Sequence, residues 1–89
     1  MWKSLKNGSR YHGLQLCEHH ISISSSAYRE LGTPERMNIE YDKELSAVKL
    51  IPGDEFKVNA LKGVRINCNL SREMPTGKYL LEEGIFKLN

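Results

Sequence analysis

Apolar and polar residues alternate in short bursts along most of this chain, and the bursts change parity at identifiable places. Leu14 and Leu16 alternate with polar neighbours, as do Ile21 and Ile23, which predicts two half-buried strand segments. The first pair is even-numbered and the second odd. One flat strand cannot hold both pairs on one face, so a bulge or break within Cys17-Glu18-His19-His20 is required. Ser24-Ser25-Ser26 then offers N-cap hydroxyls for a short helix with Ala27, Tyr28 and Leu31 on its apolar side. Gly32 suits the C′ position and Pro34 prevents continuation. Met37, Ile39 and Tyr41 alternate as a strand, Asp42-Lys43-Glu44 turns the chain, and Leu45 to Ile51 returns it as a hairpin partner.

Pro52-Gly53-Asp54 is a strong turn signal, Phe56 and Val58 suggest a connecting strand, and Lys62-Gly63 another turn. Val64, Ile66 and Cys68 alternate again. Asn69 is placed to cap a one-turn helix around Leu70 to Met74, which Pro75-Thr76-Gly77 ends. Tyr79 to Leu81 and Ile85 to Leu88 predict a second hairpin around Glu82-Glu83-Gly84. Lys3 to Arg10, polar and basic with Asn7-Gly8 inside it, reads as a tail or early turn.

The order strand–helix–strand–strand therefore occurs twice. Ile21, Ile23, Arg29, Glu30 and Leu31 are echoed by Val64, Ile66, Arg72, Glu73 and Met74 at a constant offset of 43. Each copy closes on a similar apolar–lysine–leucine triplet, Val48-Lys49-Leu50 and Phe86-Lys87-Leu88. The expected fold is α+β and mostly β: two internal strand–short helix–strand–strand repeats forming a swapped-hairpin-like or small barrel domain, neither repeat burying its apolar face alone. The expected division is a tail and first turn over 1–12, repeat one over 13–52, a connector over 53–63 and repeat two over 64–89, all within one domain.

Composition narrows the function classes. The 89 residues are 39% hydrophobic and 27% charged, as in an ordinary globular domain. No apolar run approaches the roughly 20 residues needed to cross a bilayer, and no apolar stretch follows the basic N-terminus as in a secretory signal. The expectation is a cytoplasmic protein without a membrane association. Cys17 and Cys68 do not occupy equivalent repeat positions and are read as free thiols in a reducing compartment. A net charge of +2 and a pI of about 8.6 permit nucleic-acid binding without demanding it.

Chemistry-bearing motifs are few. Cys17, His19 and His20, with His12 nearby, are metal-ligand types, but no CxxC or HxxxH pair completes a zinc set, so no metal or other cofactor is expected. The serines read as helix-capping residues, no nucleophile-elbow pattern surrounds them, and Glu82-Glu83 falls in a turn; no catalytic residue and no enzymatic activity are expected.

Residues 20–52 resemble the AbrB/MazE-like swapped-hairpin family of prokaryotic DNA-binding regulators. There a strand ending in isoleucine enters a short helix that closes with Leu-Gly, and a two-stranded hairpin follows that ends near a proline. Ile23, Leu31-Gly32, Met37 to Ile51 and Pro52 match that order and spacing. Family members usually build the domain from two chains with interleaved hairpins, so the resemblance implies either a homodimer or a monomeric pseudo-dimer in which residues 64–88 take the partner's part. The chain departs from the family pattern at Ser24, where proline is common, and at His20 and Tyr28, where basic residues are common. The Ala-Tyr-x-x-Leu-Gly-x-Pro-Glu core, Ala27 to Glu35, is also similar to small uncharacterised phage and prophage proteins, a likeness that carries no function with it.

The leading expectation is thus a small transcriptional regulator that binds double-stranded DNA. Arg29 and Arg72 would contact base edges or phosphates from the two helices, Lys3, Lys6 and Arg10 would neutralise phosphates, and His20, Lys62 and Arg65 would add contacts near the strand starts. The opposing explanation pairs each arginine with a local acid among Glu30, Glu35, Glu73 and Glu83. The second expectation is a protein-interaction module, antitoxin-like or phage-encoded, that inhibits a host enzyme or defence complex by direct binding, with Trp2 as its interface residue. A small-molecule-binding barrel is the third, with no ligand named by the sequence.

Overall fold

The computed structural model describes Trp2 and residues 11–89. It is mostly β: strands β1 (Gly13–Leu16), β2 (His20–Ile23), β3 (Arg36–Asp42), β4 (Ala47–Pro52), β5 (Phe56–Lys57), β6 (Val64–Asn67), β7 (Gly77–Glu82) and β8 (Ile85–Leu88). A single α-helix, α1 (Ser25–Glu30), and a 3-10 turn over Leu70–Arg72 complete the described elements. All strands join one sheet in the order β5-β3-β4-β8-β7-β1-β2-β6. Its two ends then meet. Just beyond β5, the Asn59 N–H donates to the Arg65 carbonyl and the Arg65 N–H to the Asn59 carbonyl, each at 2.8 Å. This exchange brings the sheet close to a closed barrel, which leaves few free edges.

The parity change near residue 17 is a chain reversal. β1 and β2 pair antiparallel with Leu16 opposite Ile21 and Leu14 opposite Ile23, so even and odd residues reach the same side because the chain has turned back. The Cys17 N–H donates to the His20 carbonyl at 2.8 Å and closes the turn. A strand therefore precedes β2, and β5 similarly precedes β6, so each predicted strand–helix–strand–strand unit is preceded by one more strand. The β2–β6 ladder sets Ile21 opposite Ile66, Ser22 opposite Arg65 and Ile23 opposite Val64. The β4–β8 ladder sets Val48 opposite Phe86.

Ser24 caps α1 from an extended backbone, φ −64 and ψ 148, its Oγ accepting from the Ala27 N–H at 3.3 Å and from the Gly13 N–H at 3.0 Å. Gly32 ends the helix with φ +88, a conformation that costs a glycine least. Asn69 makes no side-chain cap over the 3-10 turn; instead the Ser71 hydroxyl donates to the Glu18 carbonyl at 2.6 Å and ties that turn to the β1–β2 reversal. At the β7–β8 turn Glu83 and Gly84 both hold positive φ, 52 and 81, the pattern of a two-residue type I′ hairpin.

The inward rows of the strands form one core. Leu14, Ile21, Met37, Val48, Ile66, Tyr79 and Phe86 are fully buried, with Ala27 of α1 and Met74 closing over them. Fully burying one such large side chain contributes about 1.5–3 kcal/mol. Tyr79 donates its hydroxyl to the Pro75 carbonyl at 2.6 Å and Tyr28 donates to Pro34 at 2.7 Å, so both bury a ring without an unsatisfied O–H. Tyr41, which keeps the alternation of Met37 and Ile39, is nonetheless 45% exposed because β3 runs past the part of the barrel that covers those two residues.

Candidate nucleic-acid interface

Side chains that point out of a strand are fixed by those that point in. On β1, β2, β6 and β7 the inward residues are Leu14, Leu16, Ile21, Ile23, Ile66, Tyr79 and Leu81, which leaves Gln15, His20, Ser22, Arg65, Asn67, Lys78, Leu80 and Glu82 facing outward. Register then lines them up. Lys78 is opposite Gln15, Gln15 opposite Ser22, and Ser22 opposite Arg65, while His20 is opposite Asn67 in the next outward row. Three strand spacings separate Lys78 from Arg65, about 14 Å, close to the ~12 Å width of a DNA major groove. Among the described residues these two rows hold no carboxylate; Glu82 faces outward at the far end of β7.

Three further cations border the rows. Lys62 is exposed beside Gly63, in the turn that leads into β6, and lies with Arg65, Asn59 and Leu61 around a shallow groove of about 260 Å³. α1 follows the Ile23 end of β2, and the 3-10 turn follows the Asn67 end of β6. Because β2 and β6 are antiparallel, Arg29 and Arg72 lie beyond opposite ends of the ladder that carries Ser22 and Arg65 at its centre.

The local acids are not spent on these arginines. Glu73 pairs with Lys43 at 2.6 Å, joining the 3-10 turn to the β3–β4 turn, and the Glu30 carboxylate lies 3.3 Å from His12 Nε2. Hydrogen bonding and charge from Glu73 hold the Lys43 ammonium above its ordinary pKa of 10.5. Among the described residues Arg29, Arg65 and Arg72 have no ion-pair partner within 4.0 Å. His20 is half-buried on β2, its carbonyl engaged by Cys17. Trp2 is fully exposed. Lys3, Lys6 and Arg10 lie outside the described residues.

Sequence reasoning missed Gln15 and Lys78, although Tyr79 and Leu81 as inward residues already imply an outward Lys78. Lys78 also sits 5.2 Å above the Tyr11 ring. Burial, and then the charge of Cys17, raise the Tyr11 hydroxyl above its ordinary pKa of 10.0. Also unforeseen is a chain of polar contacts around α1: Ser26 Oγ is 2.8 Å from His12 Nδ1, and Ser24 Oγ lies 3.4 Å from Ser26 Oγ. With Glu30 on the other imidazole nitrogen, hydroxyl, imidazole and carboxylate stand in sequence. Ser26 lies in the first turn of a six-residue helix, and the His12 and Glu30 side chains are 42% and 57% exposed, so this relay stands in water. What it does is fasten α1 to the start of β1.

Both cysteines are free, and burial pushes the Cys68 thiol above its ordinary value. Among the described residues no group of three metal-ligating side chains is brought together, and no helix is long and apolar enough to cross a membrane. Comparisons with protein-family models, with curated proteins and with solved structures found no match to this chain.

Proposed function

We propose that this chain is a small DNA-binding regulator in which two internal repeats form a single-chain swapped-hairpin barrel. The observation that carries the reading is the β2–β6 register. Pairing Ile21 with Ile66 and Ile23 with Val64 around a central Ser22–Arg65 pair is what a local twofold between Ile21-Ser22-Ile23 and Val64-Arg65-Ile66 requires. The Val48–Phe86 pair fits the same axis, since those residues begin the two matching triplets. An axis through both places would set Arg29 and Arg72 symmetrically about an outward face carrying Lys62, Arg65 and Lys78, with Lys3, Lys6 and Arg10 as further phosphate contacts. Paired half-sites on duplex DNA suit such a face. A pseudo-dimeric monomer in a reducing cytoplasm accompanies the reading.

Fluorescence anisotropy with a mixed-sequence duplex at two salt concentrations tests it. If Lys3, Lys6, Arg10, Arg29, Lys62, Arg65, Arg72 and Lys78 each displace one counterion, log K falls with log salt at a slope of about −7.2, and the Arg29→Ala, Arg72→Ala double variant flattens this to about −5.4. Absence of salt-sensitive binding by the wild type at low ionic strength overturns the proposal. The second reading, an antitoxin-like or phage-type inhibitor acting through a protein partner, is favoured by the full exposure of Trp2. A partner that binds wild type but not a Trp2→Ala variant, in the absence of DNA binding, would replace the first reading with it.

A further inference from the structure

The two long hairpins are flanked unequally. β7 is covered by β1 from Gly77 through Leu80, and the Leu81 N–H continues the pairing to the His12 carbonyl at 2.8 Å. β3 is covered by β5 only at Arg36 and Met37, extended by the Val58 N–H donating to Glu35. Beyond Met37 the chain of β5 turns away, because Asn38 Oδ1 accepts the N–H groups of Asp54 and Glu55 at 3.1 Å each and holds that loop off the strand.

Parity identifies what is left open. The Gly53 N–H bonds the Arg36 carbonyl, so Arg36, Asn38, Glu40 and Asp42 direct their backbone groups to β4. Met37, Ile39 and Tyr41 direct theirs the other way. Among the described residues the N–H and C=O of Ile39 and Tyr41 have no β-partner. Tyr41, 45% exposed, and the partly buried Ile39 lie on the inward side of this edge. Exposed Glu40 and Asp42 lie on its outward side, bordering a groove of about 580 Å³. The groove's lysines, Lys49 on β4 and Lys87 on β8, are one and two strands farther from the edge, so the carboxylates stand nearest to an incoming strand.

We propose that the free edge of β3 is a docking site for an extended peptide segment of a partner protein, added antiparallel, with apolar and basic residues alternating. Its backbone would complete the bonds of Ile39 and Tyr41, its apolar residues would cover those two side chains, and its lysines or arginines would meet Glu40 and Asp42. β1 lying along β7 is the same arrangement within the chain. A second copy of β3 is a poor occupant, since pairing Ile39 with Tyr41 across a twofold sets Glu40 against Glu40. Docking at this edge does not depend on the proposed DNA face.

The test uses the full chain, ¹⁵N-labelled, with a capped hexapeptide alternating lysine and valine and a matched peptide with glutamate for lysine. The lysine peptide is expected to bind about tenfold more tightly, with the largest amide shifts and slowed hydrogen exchange at Ile39 and Tyr41. The Glu40→Lys variant changes an exposed outward side chain that makes no hydrogen bond among the described residues and should reverse the preference; Asp42 is left in place because its Oδ1 accepts the Leu45 N–H at 3.2 Å in the β3–β4 turn. Tyr41→Pro removes an N–H that β4 does not use and should abolish binding of both. Equal affinity for the two peptides, shifts centred away from β3, or an unchanged preference in the charge-reversed variant would each overturn the proposal.

Discussion

Gly13→Ala tests whether β1 is seated on β7 as closely as the outward rows require. Gly13 is buried opposite Leu80, and its φ is not positive, so alanine meets no conformational objection there. The obstacle is steric. A methyl group on Gly13 would overlap the Tyr79 carbonyl oxygen and stand 3.0 Å from the Leu80 Cα, both backbone atoms that no rotamer change can move. Relief requires β1 to lift from β7. Lifting strains the Ser24 N–H bond to the Gly13 carbonyl at 2.8 Å and the Gly13 N–H bond to Ser24 Oγ at 3.0 Å, so the cap of α1 loosens with the strand. Overpacking costs about 1–3 kcal/mol and two weakened hydrogen bonds about 1 kcal/mol each, giving about 3–5 kcal/mol. For a domain whose whole stability is of order 5–15 kcal/mol that is a large fraction. Urea unfolding followed by far-ultraviolet circular dichroism measures it. Gly84→Ala is the control: its φ is +81 and nothing lies within 4 Å of an added methyl, so its cost is conformational only, about 1–2 kcal/mol. A Gly13→Ala cost no greater than that of Gly84→Ala would mean β1 is not held against β7 in this register.

Two further outcomes follow from the titrating groups. Burial raises Cys68 and Tyr79 above their ordinary values of 9.0 and 10.0, so the folded state favours their neutral forms; their contribution is intact below pH 9.0 and is lost as the pH rises through the folded values. The urea midpoint should therefore fall with alkaline pH, less steeply in a Cys68→Ser variant, and in a Cys17→Ala background the Cys68 thiol should react with a disulfide reagent at pH 8 more slowly than in the urea-unfolded chain; a rate unaffected by unfolding would contradict the burial. Glu73 raises Lys43, so Glu73→Gln should lower the Lys43 pKa toward 10.5, read by side-chain NMR; because the pair is exposed, high salt should erase most of the difference.

Much of the strand pattern was legible because the apolar residues of most strands recur at a two-residue period with one face buried. Leu14/Leu16, Ile21/Ile23, Met37/Ile39 and Tyr79/Leu81 all point inward as alternation requires, and the Ser24 cap and Gly32 terminator follow from their side-chain chemistry. What alternation cannot convey is the direction in which a chain leaves a break. A bulge and a reversal at Cys17-Glu18-His19-His20 give the same parity change, and only the pairing of Leu16 with Ile21 separates them. Tyr41 shows the same limit: it keeps the period, yet it is exposed because burial also needs a neighbouring strand long enough to cover it.

The side-chain partners around the candidate site were not legible in the sequence. The opposing explanation paired Arg29 and Arg72 with local acids among Glu30, Glu35, Glu73 and Glu83, of which Glu30 and Glu73 are their neighbours in sequence. Adjacent residues on a helix point about 100° apart, however, and do not face each other. The fold brings different partners within reach of those carboxylates, the His12 imidazole from ahead of β1 and the Lys43 ammonium from the β3–β4 turn. Because those contacts also fasten α1 and the 3-10 turn to the sheet, the pairing that orders the two helical elements is the one that leaves their arginines without a partner among the described residues. A Lys43→Ala variant would then release Glu73, and the proposed DNA affinity should fall if the freed carboxylate turns to Arg72. No change in affinity or in salt slope would mean that the freed carboxylate does not engage an Arg72 that binds DNA.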